Sequence, residues 1–409
     1  MNILFIVPYV PNLIRTRPYN LIRHLSERGN QVTVLTVWAN EQERAEIEHL
    51  KQLCYRVQAV HVSSQRSLLN CVRAIPTRVP FQSVFSWQPE LVAHLNGHSP
   101  YDVVHVEHLR GVRYGLHLKA QTRLPVVWDS VDCISHLFRQ AAAQSKNFVG
   151  RVRSRFELRR TEWYESWLLD KFEHVVVTSP LDKQTLTSLK RANGTLPAPI
   201  SVLGNGVDNS YFSPDITVAR EPATLIVSGK MSYHANVTMT MHLVENIMPH
   251  VWARRPEVKL WIVGKDPARE IRALAENPSI TVTGTVNDIR PYLRRATVAV
   301  TPVTYGAGVQ NKVLEAMACA TPVITTPQAI SAIQAVPGRD LLAVEDPILF
   351  AETILRLLCN PAQQKAIGQA GRSYVETYHH WTSITTKLEK IYHEAACSSS
   401  SYAHQESSL

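Results

Sequence analysis

Thr301–Thr326, TPVTYGAGVQNKVLEAMACATPVITT, constrains the fold more than any other stretch of the chain. Val298, Val300 and Val303 form a short β-branched run of the buried-strand kind. Tyr305-Gly306-Ala307-Gly308 breaks it, and a helix-forming segment begins near Asn311. The helix stops at Cys319-Ala320, and Thr321-Pro322 leads into Val323-Ile324, a second buried strand. Strand, turn, helix and strand make a βαβ unit, the repeating element of an α/β fold with a parallel sheet. The first amides of such a helix are unpaired and lie at the positive end of its dipole, so they can hold a phosphate or a sugar oxygen. Lys312 adds a full positive charge there, and Glu315, about one turn on, accepts well from a pair of sugar hydroxyls. That mixture suits a nucleotide sugar.

At 409 residues, 45% hydrophobic and 19% charged, the chain has the make-up of an ordinary globular enzyme of two domains. No apolar run reaches the roughly 18 to 20 residues that span a bilayer. Met1–Pro8 lacks a basic n-region and a small-residue cleavage site and reads as a first strand, not a signal peptide. The cysteines at 54, 71, 133, 319, 359 and 397 show no C-x-x-C spacing, which argues against a disulfide framework or zinc site and for a reducing cytoplasm. Charge is unevenly placed: residues 1–200 carry 25 Lys and Arg against 16 Asp and Glu, and residues 201–409 carry 18 against 18. The whole excess of +9 therefore lies in the first half, as an anionic partner there would require. No nucleic-acid motif is present, so an anionic membrane surface or a lipid-diphosphate acceptor is the expected partner, with the protein peripheral at the inner face of the membrane.

The chain opens β-α-β: a strand over Ile3–Pro8, a helix through Tyr19, Leu21, Ile22 and Leu25, and a strand over Gln31–Val37. Arg15 and Arg17 in the first turn are candidate phosphate contacts, the alternative being a solvated helix face. Tyr101–Glu107 reads as a strand whose tip carries His105, Glu107 and His108, residue types able to bind a sugar hydroxyl or move a proton. Asp129 and Asp132 end another strand without a third ligand at useful spacing, so no metal is expected. Val152, Phe156, Trp163 and Trp167 fall on one side of a helix crowded elsewhere with Arg151, Arg153, Arg155, Arg159 and Arg160. Such a helix suits a membrane surface, or else buries its tryptophans and solvates its arginines. Asn205-Gly206 is a turn signal at the expected domain boundary, and Leu225–Ser228, running into Gly229-Lys230, restarts the alternation. Trp381–Tyr392 is a terminal helix, and the tail from Ser398 is too polar to pack and is expected to be disordered.

Glu315-Ala316-Met317-Ala318 with Pro322-Val323, preceded by Gly306-x-Gly308-Val309-x-Asn311-Lys312, resembles the donor site of retaining GT-B glycosyltransferases of the large family four. Asn205-Gly206-Val207-Asp208 resembles that family's interdomain signature. The resemblance implies two facing Rossmann-like domains with a cleft between them: an acceptor-side domain over 1–200, a donor domain over 205–375, a helix over 376–395 returning to the first domain, and a tail over 396–409. It implies transfer of a sugar from a nucleoside diphosphate to a glycan or lipid-linked acceptor, with retention and no cofactor, in cell-surface polysaccharide or glycolipid assembly. It places Lys230, Gly306, Ala307, Gly308, Val309, Asn311, Lys312 and Glu315 at the donor and His105, Glu107 and His108 among the catalytic residues. Two departures stand out: Ala307 occupies the position of the first of two family glutamates, and Asn236 that of a second lysine. Those departures favour a binding or scaffold protein without turnover as the alternative. The Gly306-x-Gly308 pair alone would favour a dinucleotide-dependent oxidoreductase, though it lacks the third glycine of that fingerprint.

Overall fold

The computed structural model describes residues 1–12, 15–94, 101–144, 148–189, 197–304 and 309–406. They form two compact units, residues 1–204 with 381–409, and residues 205–380.

The first unit holds a seven-stranded parallel sheet: β1 (Asn2–Val7), β2 (Gln31–Trp38), β3 (Arg56–His61), β4 (Val103–Glu107), β5 (Val126–Val131), β6 (His174–Val177) and β7 (Ile200–Val202). Its order is β3-β2-β1-β4-β5-β6-β7, so the winding reverses between β1 and β4. Both faces are covered, which is why the strands are near-continuous Val, Ile and Leu. Ile6, Val104 and Trp128 face one core layer, while Phe5, Val103 and Val127 face the other. The helices before β6 are α1 (Thr16–Glu27), α2 (Glu41–Leu53), α3 (Ser64–Ala74), α4 (Phe81–Phe85), α5 (Pro89–Ala93), α6 (His108–Gln121), α7 (Ile134–Gln144) and α8 (Phe148–Leu168). Helix Trp381–Glu406 packs Trp381, Ile384, Leu388 and Tyr392 into the layer that holds Phe5, Leu21 and Leu25. It continues past Ser398, where the sequence suggested a disordered tail. No Gly or Pro interrupts residues 381–406, and Ser, Ala and His each cost a helix little.

The second unit repeats the plan with six parallel strands: β8 (Thr224–Ser228), β9 (Lys259–Val263), β10 (Ile280–Gly284), β11 (Val298–Thr301), β12 (Val323–Thr325) and β13 (Leu342–Ala343). Their order is β10-β9-β8-β11-β12-β13, with the reversal between β8 and β11. Helix Asn311–Ala318 connects β11 to β12, as read from the sequence, and buries Val313, Leu314 and Met317. The unit begins and ends at one place: Val207 bridges His380 in parallel, and its N–H donates to the carbonyl of His379 at 2.8 Å.

Candidate active-site residues

In an open α/β sheet ligands bind beyond the carboxyl ends of the strands where the winding reverses. In the second unit that place is built by the loops after β8 and β11. Gly229 and Gly264, which follow β8 and β9, have φ of +147° and +151°. A Cβ on Gly264 would lie 1.7 Å from the carbonyl oxygen of Gly229, so only glycine lets the two loops touch. A Cβ on Gly229 would lie 2.8 Å from Nδ2 of Asn236, so the first loop also leaves room for that side chain.

Asn236 is buried, and its Nδ2 donates to the carbonyl of Lys230 at 3.0 Å. Its Oδ1 accepts from Lys312 Nζ at 2.7 Å, and Gln310 Oε1 accepts from the same ammonium at 3.3 Å. Burial pushes the Lys312 ammonium down to about 8, with the Glu315 carboxylate opposing. Burial likewise pushes the Glu315 carboxyl up to about 7, with Lys312 opposing. Among the described residues no side chain caps the N-terminus of helix Asn311–Ala318, whose Val313 N–H donates to the Gln310 carbonyl at 2.9 Å. Lys230 is half-exposed beside Asp266, at 4.0 Å. Asn311 Oδ1 accepts from Asn205 Nδ2 at 3.5 Å, and Val309 packs on the core below. Lys312, Glu315, Asn311 and Val309 thus share one helix start with Lys230 alongside. Gly306, Ala307 and Gly308 lie outside the described residues.

In the first unit the reversal between β1 and β4 brings together Tyr9, just after β1, and Glu107, which ends β4. The Tyr9 hydroxyl donates to Glu107 Oε1 at 2.6 Å. Glu107 is 1% exposed, and its Oε2 has no hydrogen-bond partner among the described residues. Burial, with the Asp129 charge adding, pushes its carboxyl up to about 8, which favours the protonated form. His108 follows with φ +61°, a conformation non-glycine residues adopt at a cost and most often at functional sites. Its Nδ1 accepts from the Arg110 N–H at 3.2 Å, and burial and the Arg110 charge push its imidazole down to about 3.

His105 sits differently. It points into the core, fully buried, stacked on Phe5 with ring centroids 3.9 Å apart, and its Nδ1 lies 2.9 Å from the Tyr392 hydroxyl. It lies on the same face of β4 as Glu107 but two residues further back, where Phe5 of the neighbouring strand and Tyr392 of the terminal helix close over it. Arg17 is also committed elsewhere. Its Nε donates to Asp129 Oδ2 at 2.9 Å, and NH1 donates to the carbonyls of Leu203 and Gly204. It neutralises a buried carboxylate, where the sequence suggested a phosphate contact. Arg15 pairs with Glu43 at 2.9 Å and lies over the Tyr9 ring. The sequence reading missed Tyr9, Gly264 and Tyr392. Tyr9 lies two residues past β1 and Gly264 one past β9, so both were open to detection, whereas Tyr392 was not.

Two family models match the chain: a glycosyl transferase 4-like domain over residues 14–206 and glycosyl transferases group 1 over residues 222–360. The chain is 29% identical over 237 residues to a GDP-mannose-dependent monoacylated α-(1-6)-phosphatidylinositol monomannoside mannosyltransferase of Corynebacterium glutamicum, covering 53% of this chain and 62% of that protein. It is 23% identical over 236 residues to one component of the human phosphatidylinositol N-acetylglucosaminyltransferase, covering 54% of this chain and 45% of that one. The matches therefore span less than two thirds of either relative. The solved structure of Anabaena HepE in complex with UDP and glucose matches 96% of this chain and 99% of its own, with a TM-score of 0.67 at 13% identity. Both doubly wound units of this chain thus match glycosyltransferase domain models, a glycosyl transferase 4-like domain in the first and glycosyl transferases group 1 in the second, on a two-unit fold shared with that structure.

Proposed function

We propose that the chain transfers a hexosyl group from a nucleoside diphosphate sugar to a lipid-linked or glycan acceptor, with retention of anomeric configuration. The observation that carries the reading is the Lys312 ammonium held by Asn236, with Glu315 one turn away, at the carboxyl end of the second sheet. Lys312, Lys230 and the first amides of helix Asn311–Ala318 hold the diphosphate, and Glu315 accepts from the ribose hydroxyls. Gly306, Ala307 and Gly308 offer backbone groups to the sugar. Lys312 replaces the cation that Asn236 lacks, which favours turnover over binding alone. In the reaction the bond from C1 of the sugar to the diphosphate oxygen breaks, and the acceptor oxygen bonds C1 on the same face. The acceptor's proton passes to the leaving diphosphate, whose charge the two lysines stabilise. Glu107, protonated, and His108, held in a strained conformation, serve the acceptor side; His105 positions that strand from below.

Two observations favour a lipid acceptor. Both curated relatives are named for phosphatidylinositol lipids, and the positive charge is concentrated in the first unit. No helix among the described residues is long and apolar enough to cross a membrane. The protein works as a peripheral enzyme on an anionic cytoplasmic leaflet.

Calorimetry with UDP, GDP and ADP tests the donor site. Binding of one diphosphate, lost in Glu315→Ala, is the expected result. No binding by any of them, or equal binding by the variant, would refute it. Sedimentation with anionic vesicles at low salt tests the membrane, and a protein left in the supernatant would refute that part.

A further inference from the structure

Helix Asn311–Ala318 carries Lys312 and Glu315 and ends in a turn that leaves one carbonyl to a distant side chain. In that turn the Ala320 N–H donates to the Met317 carbonyl at 2.9 Å and the Thr321 N–H to the Ala316 carbonyl at 3.0 Å. This pairing is the Schellman pattern, and Ala320 takes the left-handed conformation it needs, with φ +53°. The Ala318 carbonyl has no partner in the pattern, and Arg372 NH1 donates to it at 2.6 Å. A cation there also faces the negative end of the helix dipole.

The same guanidinium reaches the segment with which the second unit begins. NH1 also donates to the Phe212 carbonyl at 2.6 Å, and NH2 to the Asn209 carbonyl at 3.1 Å. Nε donates to Glu376 Oε1 at 2.7 Å, one turn along its own helix, Pro361–Tyr378, which keeps the fork aimed. The side chain is 17% exposed, so water competes little for these bonds. Carbonyls from two separate stretches thus converge on one planar cation, a geometry that a guanidinium provides and an ammonium does not. Helix Pro361–Tyr378 comes close enough for this because a Cβ on Gly368, which would lie 2.2 Å from the Ala320 carbonyl oxygen, is missing. At the opposite end of helix Asn311–Ala318, Asn205 Nδ2 donates to Asn311 Oδ1 at 3.5 Å. Residues 205–212 are therefore tied to both ends of a helix about 12 Å long. A rigid helix that short passes a shift at Ala318 on to Lys312 and Glu315.

We infer that Arg372 is a positioning residue for the nucleoside diphosphate: by joining the Ala318 carbonyl to those of Asn209 and Phe212 it sets where Lys312 and Glu315 stand, and it makes residues 207–212 respond to the nucleotide. The inference rests on the glycosyltransferase reading, which supplies the nucleotide.

The test titrates UDP and GDP into the full chain, Arg372→Met and Ile354→Val, with urea unfolding of each as the measure of stability. Ile354 belongs to the other core layer of the same unit and serves as the control for stability alone. Arg372→Met should bind about tenfold more weakly or worse, because the groups that meet the nucleotide are displaced. Ile354→Val, though less stable, should bind as the parent does. The pH profile separates placement from stability. Burial holds the Glu315 carboxyl up and the Lys312 ammonium down, so a released helix should move the acid limit of binding to lower pH and the alkaline limit to higher pH. Ile354→Val should leave both limits in place. Hydrogen exchange on the parent needs no variant: the nucleotide should slow exchange of the Phe212 N–H, which donates to the Asp208 carbonyl at 2.7 Å, together with exchange along helix Asn311–Ala318. Slowing confined to the helix, or weaker binding by Arg372→Met with unmoved pH limits, would overturn the inference. A parent that binds neither nucleotide overturns the donor reading and this inference with it. A parent that binds one, matched by Arg372→Met, overturns this inference alone.

Discussion

Lys312 Nζ donates to Asn236 Oδ1 at 2.7 Å, joining the start of helix Asn311–Ala318 to the first turn of helix His234–His242, which follows the loop after β8. The resemblance puts a lysine where Asn236 stands, and this chain instead brings its cation from Lys312. On the function proposed, Lys312 supplies the cation that a lysine at position 236 would bring.

That relationship predicts a swap. Lys312→Asn should weaken diphosphate binding by about 10- to 100-fold, the value of one or two charge-assisted hydrogen bonds. The double variant Lys312→Asn/Asn236→Lys should recover binding to within about tenfold of the parent, since either position can supply the cation. Titration calorimetry checks it, and a double variant no better than Lys312→Asn would show that the two positions are not equivalent.

Glu315→Ala should cost nucleotide binding about 10- to 100-fold, the loss of a carboxylate accepting from ribose hydroxyls. A 2′,3′-dideoxy nucleotide should bind the parent and the variant equally, because it has nothing to give Glu315. A variant that still prefers the ribose form would place the sugar elsewhere.

The pH dependence of nucleotide binding should be bell-shaped. Glu315, raised to about 7, is a neutral acid below that pH and accepts poorly. Lys312, lowered to about 8, is a neutral amine above that pH and no longer attracts phosphate. Both are charged only between, so affinity should peak between about 7 and 8 and fall by up to about tenfold per pH unit on each side. Glu315→Gln should flatten the acid limb and Lys312→Met the alkaline one; a flat profile in the parent would contradict both assignments.

Glu107 should act in its protonated form. With its carboxyl raised to about 8, Glu107→Gln should retain transfer to within about threefold of the parent at pH 7, because the amide still donates a hydrogen bond, while Glu107→Ala should lose at least about 100-fold, the usual effect of removing one positioned hydrogen-bond donor. In the parent the rate should drop as pH rises through about 8, and in Glu107→Gln it should not. Rate profiles of the three proteins decide the matter.

Arg17→Met should unfold the first unit easily without touching donor affinity. Asp129 is fully buried, and losing the guanidinium beside it leaves a carboxylate uncompensated, at a cost of about 3 to 5 kcal/mol. Urea unfolding should show it, and the added substitution Asp129→Asn should restore part of the loss. A single variant as stable as the parent would mean Asp129 is neutral in the fold.

The sequence revealed local arrangements well and distant ones poorly. The two strands and the helix between Val298 and Ile324 were readable because buried β-branched runs and a helix start are patterns of neighbouring residues. Lys312 and Glu315 were readable as a pair because three positions of helix set their spacing. Arg17 looked free because its partner, Asp129, lies 112 residues away, and no spacing rule spans that distance. His105 looked like part of an exposed tip because one strand does not show how far its sheet extends. Its neighbours on both sides, Phe5 and Val127, seal it in.

The parallel bridge from Val207 to His380 makes residues 205–380 a loop closed at its own base. A segment that starts and finishes at one point can be exchanged for another with the same ends, leaving the path of the remaining chain unaltered. On the function proposed, lineages carrying this joint try new sugar donors against an unchanged first unit, and new acceptors against an unchanged second unit, without having to solve both problems at once.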